Sequence, residues 1–138
     1  MILRLSILIV LLIIISVIDL RTMKIPDYLI IITAAASLLR FFESGEVTML
    51  QYLSGLIPAI AILILSVILK HLTHHRLLGG GDIKLIAALG LHLGIYPTLL
   101  TVLLASVLAL IICRKHRFPF APMLSASAIL LVFCSIYM

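Results

Sequence analysis

Apolar residues dominate six stretches of the chain, and short polar segments separate these stretches. Because a helix needs about 20 apolar residues to cross a bilayer, the pattern predicts six transmembrane helices. Pro97 favours a break between the fourth and the fifth, because proline is tolerated in the first turn of a helix and costly inside one. The second, fourth and fifth stretches are short, so tilt or locally thinned lipid must accommodate them. The six stretches are residues 2–20, 28–42, 49–69, 83–96, 98–113 and 120–137.

The composition agrees with this pattern. Of the 138 residues, 64% are hydrophobic and only 11% are charged, which is far from the balance of a soluble domain. We therefore predict an all-α polytopic membrane protein, in which residues 1–138 form a single transmembrane domain. No small-residue cleavage pattern follows the apolar residues 5–18, so we interpret them as the first membrane helix and not as a signal peptide. Cys113 and Cys134 are isolated thiols and form no Cys-x-x-Cys pair.

The positions of the basic residues predict the orientation in the membrane. A formal charge of +5 can indicate nucleic-acid binding, but in a membrane protein it more often reflects topology. Arg4 and Arg40 fall on one side of the six crossings, and the other basic residues fall in loops on the opposite side. Since basic loops stay in the cytoplasm, we predict both termini outside and no nucleic-acid partner. The cytoplasmic set is Arg21, Lys24, Lys70, Arg76, Lys84, Arg114, Lys115 and Arg117.

Two aspartates carry the candidate chemistry. Asp19 closes the first predicted helix and Asp82 opens the fourth, so both lie at the cytoplasmic boundary. An ionisable residue costs about 2.5–3.5 kcal/mol at the centre of a membrane helix, which makes a functional role the default hypothesis. Two adjacent carboxyl groups share one proton, and such a pair can activate a water molecule and stabilise an oxyanion. The pair therefore predicts aspartic-protease chemistry, with neither a cofactor nor a metal.

Each aspartate also has a purely structural interpretation. Asp82 follows Gly79, Gly80 and Gly81, and an aspartate there can cap a helix N-terminus. Asp19 can pair at the interface with a nearby basic residue of the same loop. A phosphate cradle is disfavoured, because the G-x-x-x-x-G-K-[ST] spacing is absent and an aspartate repels phosphate. In the catalytic interpretation, the glycines allow positive φ and let a substrate backbone pass close to Asp82.

Three segments of the chain resemble the prepilin peptidases, or type IV leader peptidases, which are GxGD-type membrane aspartic proteases. "GGGDIKL" matches their G-x-G-D motif, "DLRTMKIPDYL" resembles their first motif, and "FPFAPML" resembles their late Pro-Phe-x-Pro segment. The resemblance implies a catalytic pair of Asp19 and Asp82. It implies an active-site loop of Gly79, Gly80, Gly81 and Lys84, with structural motif residues Ile25, Pro26, Pro119, Phe120 and Pro122.

The resemblance also implies a function. Members of this family cleave the basic leader from prepilins or pseudopilins at the cytoplasmic boundary of the bacterial or archaeal cytoplasmic membrane. Larger members carry an extra cytoplasmic segment with zinc-binding cysteines and also N-methylate the product. Because this chain has no Cys-x-x-Cys pair and its loop at 23–26 is small, we expect a minimal peptidase without methyltransferase activity, similar to those of tight-adherence pilus systems.

One residue departs from the family pattern. Asp27 stands where the family often has asparagine, after the Ile-Pro pair. This extra carboxylate either raises the local negative charge or pairs with Lys24, and we favour the pairing. Lys84 can tune the catalytic pair, but an interfacial lysine whose side chain extends towards the polar boundary is the favoured interpretation.

Other features are interpreted as structural. His71, His74 and His75 have a spacing that can bind metal, but no acidic or cysteine ligand lies nearby and a basic interfacial loop explains them equally well. Gly90 and Gly94 have the G-x-x-x-G spacing of a close helix contact. The competing functions are a non-catalytic membrane assembly factor or small ion or proton carrier that uses the same carboxylates, and a presenilin-like protease that cuts deep within the bilayer.

Overall fold

A computed structural model describes residues 2–22, 24–44, 48–73, 79–112 and 120–137 of the chain. These ranges contain helices joined by short connections and no strand. The all-α class predicted from the apolar pattern is therefore confirmed. The helices are α1 (Ile2–Thr22), α2 (Asp27–Ser44), α3 (Met49–Ser54), α4 (Ile57–Thr73), α5 (Gly80–Leu93), α6 (Ile95–Ile112) and α7 (Ala121–Tyr137).

The outer surface of the helices is apolar. Within the described ranges, three segments are long and apolar enough to cross a membrane, namely Leu3–Thr22, Met49–Leu72 and Ile95–Ile112, and Ala121–Cys134 is a shorter apolar helix. No more than 28% of each long segment is buried inside the protein. Large aliphatic side chains on these helices, such as Leu63 and Leu103, are about half exposed at 48% and 58%. Because a surface this apolar is stable only in lipid, the chain is a polytopic membrane protein, as predicted.

The third predicted helix, 49–69, is wrong in one respect, because the chain turns at Gly55 and Leu56 and divides it into α3 and α4. Thr48 caps α3 through a reciprocal pair of hydrogen bonds with Gln51. At the turn, the backbone of Gly55 packs directly on the backbone of Gly90 in α5. A continuous helix with larger side chains could not approach α5 so closely, so this contact explains the interruption.

The predicted break at Pro97 is also wrong, because the chain breaks three residues earlier, at Gly94. Gly94 has φ 93° and ψ −176°, a backbone conformation that is essentially restricted to glycine. Pro97 lies in the first turn of α6, where its missing N–H costs nothing. Arg40 of α2 lies against Gly94 and donates from Nη1 to the Leu91 carbonyl at 3.4 Å. Its positive charge therefore faces the negative end of the α5 dipole.

Helix α5 lies at the centre of the bundle. It contacts α2, α3, α4 and α6, while α1 packs between α2 and α7. Two polar contacts place α2 and α5 side by side and parallel: Arg40 reaches the end of α5, and Asp27 at the start of α2 binds Lys84 at the start of α5. The buried residues of α5 are Leu85, Ile86, Ala88, Leu89, Gly90 and His92.

The contact between Gly55 and Gly90 generates a stability prediction. A Cβ atom at either glycine would overlap the carbonyl oxygen of the other, and backbone atoms cannot move away as a flexible side chain can. We expect Gly90→Ala to destabilise the protein by about 1–3 kcal/mol, the usual cost of overpacking. The measurement is the apparent melting temperature of the purified protein in detergent micelles.

Gly80→Ala is the matched control. A Cβ atom at Gly80 meets nothing within 4 Å, and alanine is a better helix former than glycine. The control should melt at or slightly above the temperature of the unmodified protein. Equal melting temperatures for both variants would contradict the proposed close contact.

Candidate active site

The buried face of α1 determines where the Asp19 side chain points. Four residues of this face are buried, at alternating spacings of three and four, and Asp19 continues the same series. Such spacing keeps all members on one side of a helix. Asp19 therefore faces the interior of the bundle, where only 5% of its surface is exposed. The four apolar members of this stripe are Leu5, Leu8, Leu12 and Ile15.

The first turn of α7 contacts the Asp19 carboxylate. The backbone N–H of Ala121 donates a hydrogen bond to it. The Oδ2 atom of Asp19 is buried and accepts no hydrogen bond from any residue that the structure describes. A buried carboxylate oxygen that accepts no hydrogen bond costs free energy. Oδ2 can therefore accept a hydrogen bond from a water molecule or a substrate group.

Asp82 lies in the first turn of α5. The N-cap of this helix is Gly79, and Asp82 is its third residue, so the interpretation of Asp82 itself as the N-cap is wrong. The Gly79 N–H donates to the Asp82 carboxylate, which is the arrangement of an acidic third residue in a capping box. The helix N-terminus also favours a negative charge at this position. These contacts hold Asp82 in place and leave its carboxyl group accessible.

The three glycines contribute space at the site, because they carry no side chain. They do not contribute unusual backbone angles. Gly79 has φ −68°, and Gly80 and Gly81 belong to α5. Among the glycines in the described ranges, only Gly94 has positive φ, so these three do not use the positive φ that glycine allows. A Cβ atom at Gly81 would lie 3.3 Å from the Cβ atom of Ile25. Glycine there allows α5 to pack against the Ile-Pro segment.

Asp19 and Asp82 line the same cavity. Its volume is approximately 480 Å³, and the two carboxyl groups interact electrostatically across it. Gly79 and Gly80 are exposed at its edge, so the cavity opens to the surface. The structure therefore brings together two aspartates that are separated by nearly half of the chain. The full lining is Asp19, Lys24, Ile25, Asp27, Gly79, Gly80, Gly81 and Asp82.

The described motif residues Pro26, Phe120 and Pro122 adjoin residues of the site without lining the cavity themselves. Pro26 directly precedes α2, and its carbonyl accepts a hydrogen bond from the Leu29 N–H at 3.2 Å. Phe120 packs against the hydrophobic core, and Pro122 lies in the first turn of α7. Pro119 lies outside the described residues. Together the late segment places the start of α7, and with it the Ala121 N–H, against Asp19.

The predicted partner of Asp27 is wrong. Lys84 Nζ, and not the Lys24 ammonium, donates to Asp27 Oδ1 at 2.6 Å. Lys84 is exposed and does not line the cavity. Its ammonium group therefore acts on Asp27, at the start of α2.

Sequence reasoning missed Lys24 and Ala121 as parts of the site. Lys24 was considered only as a partner for acids, although it lines the cavity. Ala121 contributes a backbone N–H, which no side-chain type signals; the only pointer was its position between the two prolines of the late segment.

His71 is exposed at the end of α4, while His74 and His75 lie outside the described residues. Within the described part of the chain, no group of three or more His, Cys, Asp or Glu side chains is arranged so that it could hold a metal ion.

The fold and the site together define a class: a polytopic α-helical membrane protein with a pair of carboxyl groups in a cavity at one end of its bundle. The model of the type IV leader peptidase family matches residues 6–114, and this chain belongs to that family, which confirms the resemblance seen in the motifs. It is 33% identical over 134 residues to a prepilin leader peptidase/N-methyltransferase of Bacillus subtilis (strain 168). That match covers 87% of this chain and 51% of the relative, so the chain spans about half of the relative's length. No solved structure matches the chain.

The buried position of Asp19 generates a second prediction. Leucine at this position would extend the apolar stripe of α1 and remove the cost of burying a carboxyl group. Replacing a buried ion pair with hydrophobic residues of similar size is often neutral or stabilises a protein by about 1–4 kcal/mol, and a buried carboxyl group without a cationic partner carries the same kind of desolvation cost. We therefore expect Asp19→Leu to raise the apparent melting temperature in detergent micelles.

Asp27→Leu is the control for this measurement. Asp27 is exposed and binds Lys84, so its replacement removes an ion pair without relieving any burial. It should leave the melting temperature unchanged or slightly lower. A lower melting temperature for Asp19→Leu would show instead that the Asp19 carboxyl group stabilises the fold.

Proposed function

We propose that this protein is a membrane aspartic endopeptidase that removes the basic leader of prepilins or pseudopilins. The observation that carries the proposal is the convergence of Asp19 and Asp82 on one open cavity. Membership of the type IV leader peptidase family supports the substrate class. Burying a carboxyl group on an apolar helix stripe costs stability, and catalysis provides a reason for keeping it there.

The proposed mechanism uses a water molecule between the two carboxyl groups. One carboxyl group is ionised and takes a proton from the water as its oxygen attacks the scissile carbonyl carbon. The other is protonated and donates a hydrogen bond to the carbonyl oxygen, which stabilises the developing oxyanion. The tetrahedral intermediate collapses when the C–N bond breaks and a carboxyl proton passes to the leaving amine. No covalent enzyme intermediate is needed.

The orientation of the site is part of the proposal. Arg21, Lys24 and Lys84 lie at the same end of the bundle as the cavity, near the ends of the helices that form it. Arg40 lies at the opposite end, beside Gly94. Since basic residues favour the cytoplasmic side, we infer that the cavity faces the cytoplasm and that both termini lie outside.

Loss of either carboxylate tests the proposal. We expect Asp19→Asn and Asp82→Asn each to reduce cleavage of a coexpressed prepilin by about 10²-fold or more, because each removes one half of the acid–base pair. Glu43→Gln is the control, since Glu43 belongs to the last turn of α2, at the opposite end of that helix from the cavity-lining Asp27. Gel mobility measures the cleavage, and membrane fractionation checks insertion.

The outcomes distinguish the competing functions. Full cleavage in both asparagine variants would overturn the catalytic pair and favour an assembly factor or an ion or proton carrier. Mass spectrometry of the product gives its new N-terminus. A cut at the boundary between leader and apolar helix supports the proposed enzyme, whereas a cut deep within the apolar helix would support a presenilin-like protease.

We also propose that the chain has no N-methyltransferase activity. Residues 23–26 alone join α1 to α2, so the loop after Asp19 has no room for an inserted cysteine-bearing segment. We expect the product N-terminus to carry a free amine at its unmodified mass when the methyl donor S-adenosylmethionine is supplied. A mass increase of one methyl group, in purified enzyme and substrate alone, would contradict this expectation.

A further inference from the structure

An exposed ion pair stands at the edge of the cavity. Lys84 Nζ and Asp27 Oδ1 are 2.6 Å apart, and the two side chains are 58% and 69% exposed. Asp27 lines the cavity together with the two candidate catalytic aspartates, whereas Lys84 lies outside it. The pair therefore joins a cavity-lining acid to a cation that comes from outside the cavity.

This ion pair is easily exchanged. Exposed ion pairs contribute little to stability, because water solvates both charges when they separate. Asp27 is also in the first turn of α2, where the free backbone N–H groups and the helix dipole stabilise its negative charge without Lys84. A second ammonium or guanidinium group can therefore replace Lys84 at little cost.

The pair is not needed to hold α2 against α5. Arg40 binds the Leu91 carbonyl at the other end of the same two helices. Leu29 of α2 packs in the same hydrophobic core as Leu85 and Leu89 of α5. Breaking the ion pair therefore leaves the two helices in contact over their apolar faces.

The charges of the cavity favour a cationic ligand. Asp19, Asp27 and Asp82 line it, against a single ammonium from Lys24. Moreover, Oδ2 of Asp19 is buried and has no hydrogen-bond partner among the described residues, so the acids are not fully satisfied by one another or by the fold. The Lys84 ammonium at Asp27 shows that the geometry of this carboxylate accepts such a group.

We propose that Asp27 is a specificity-determining residue, which binds a lysine or arginine side chain of the substrate after that side chain displaces Lys84. This inference rests on the proposed function and deepens it, because it assigns the residue that recognises a basic leader. Lys84 is then an internal competitor that occupies Asp27 when no substrate is bound. The exchange accounts for how a basic segment approaches a basic face of the enzyme.

The two partners of the ion pair should have opposite effects on KM. The assay is cleavage of a purified prepilin of this family by the full-length enzyme in detergent micelles. We expect Asp27→Asn to raise KM about fivefold, because the substrate loses its charged partner. We expect Lys84→Met to lower KM about twofold or more, because the competing cation is gone, and kcat should change little in either variant.

A purely structural ion pair predicts a different result. Both variants would then change kcat and KM in the same direction, and that outcome would overturn the proposal. Asp27→Glu, which keeps the charge, should restore KM to within about twofold of the unmodified value. Lys70→Met, which removes an exposed lysine at the end of α4, controls for the loss of a basic residue elsewhere.

A double-mutant cycle identifies the substrate residue. Each lysine or arginine of the leader is changed singly to glutamine, and each substrate is tested with the unmodified enzyme and with Asp27→Asn. We expect one leader position to raise KM with the unmodified enzyme and to have no effect with Asp27→Asn. Additive effects at every position would overturn the proposal, whatever the stability of the variants.

The inference and the proposed function fail in different ways. If the unmodified enzyme does not cleave the prepilin, the proposed function fails and Asp27 has no substrate to recognise. If the unmodified enzyme cleaves it and Asp27→Asn has an unchanged KM, the peptidase proposal stands and the role of Asp27 is overturned.

Discussion

The burial of one carboxyl group on an apolar helix is the constraint on which the rest of the structure depends. Asp19 occupies the next position of a stripe that otherwise buries leucine and isoleucine. In lipid such a group needs polar partners or access to water. Three segments that are distant from one another in sequence provide polar partners and access to water at one end of the bundle. They are the connection after α1, the start of α5 and the start of α7. Each segment is short, and each contains a proline or glycine that fixes how its helix begins.

Close packing around α5 makes this convergence possible. The contact between Gly55 and Gly90 lets backbones touch near one end of α5, and Gly81 lets the other end approach Ile25. Small residues at both ends therefore seat a short helix among longer ones. Membrane helices lack a hydrophobic driving force between them, so this close contact supplies much of the attraction. The position of Asp82 is a consequence of how α5 is held at both ends.

Much of the fold and of the site follows from local sequence signals. Apolar stretches set the helices, because lipid leaves the backbone few alternatives, and matched depth in the membrane placed Asp19 opposite Asp82. The breaks at Gly55 and Gly94 did not follow, because each depends on a neighbour in another helix. The role of the Ala121 N–H could not be predicted, because backbone donors carry no sequence signal. Lys24 was a plausible partner for Asp27 from the sequence, but the parallel packing of α2 and α5 places Lys84 beside Asp27 instead.

The length of α5 has a consequence for how the bundle fits a bilayer. Its 14 residues span about 21 Å at 1.5 Å per residue, whereas the hydrocarbon core is about 30 Å thick. Neighbouring helices such as α1 are long enough to cross that core, so the residues that flank α5 or a locally thinner bilayer must make up the difference.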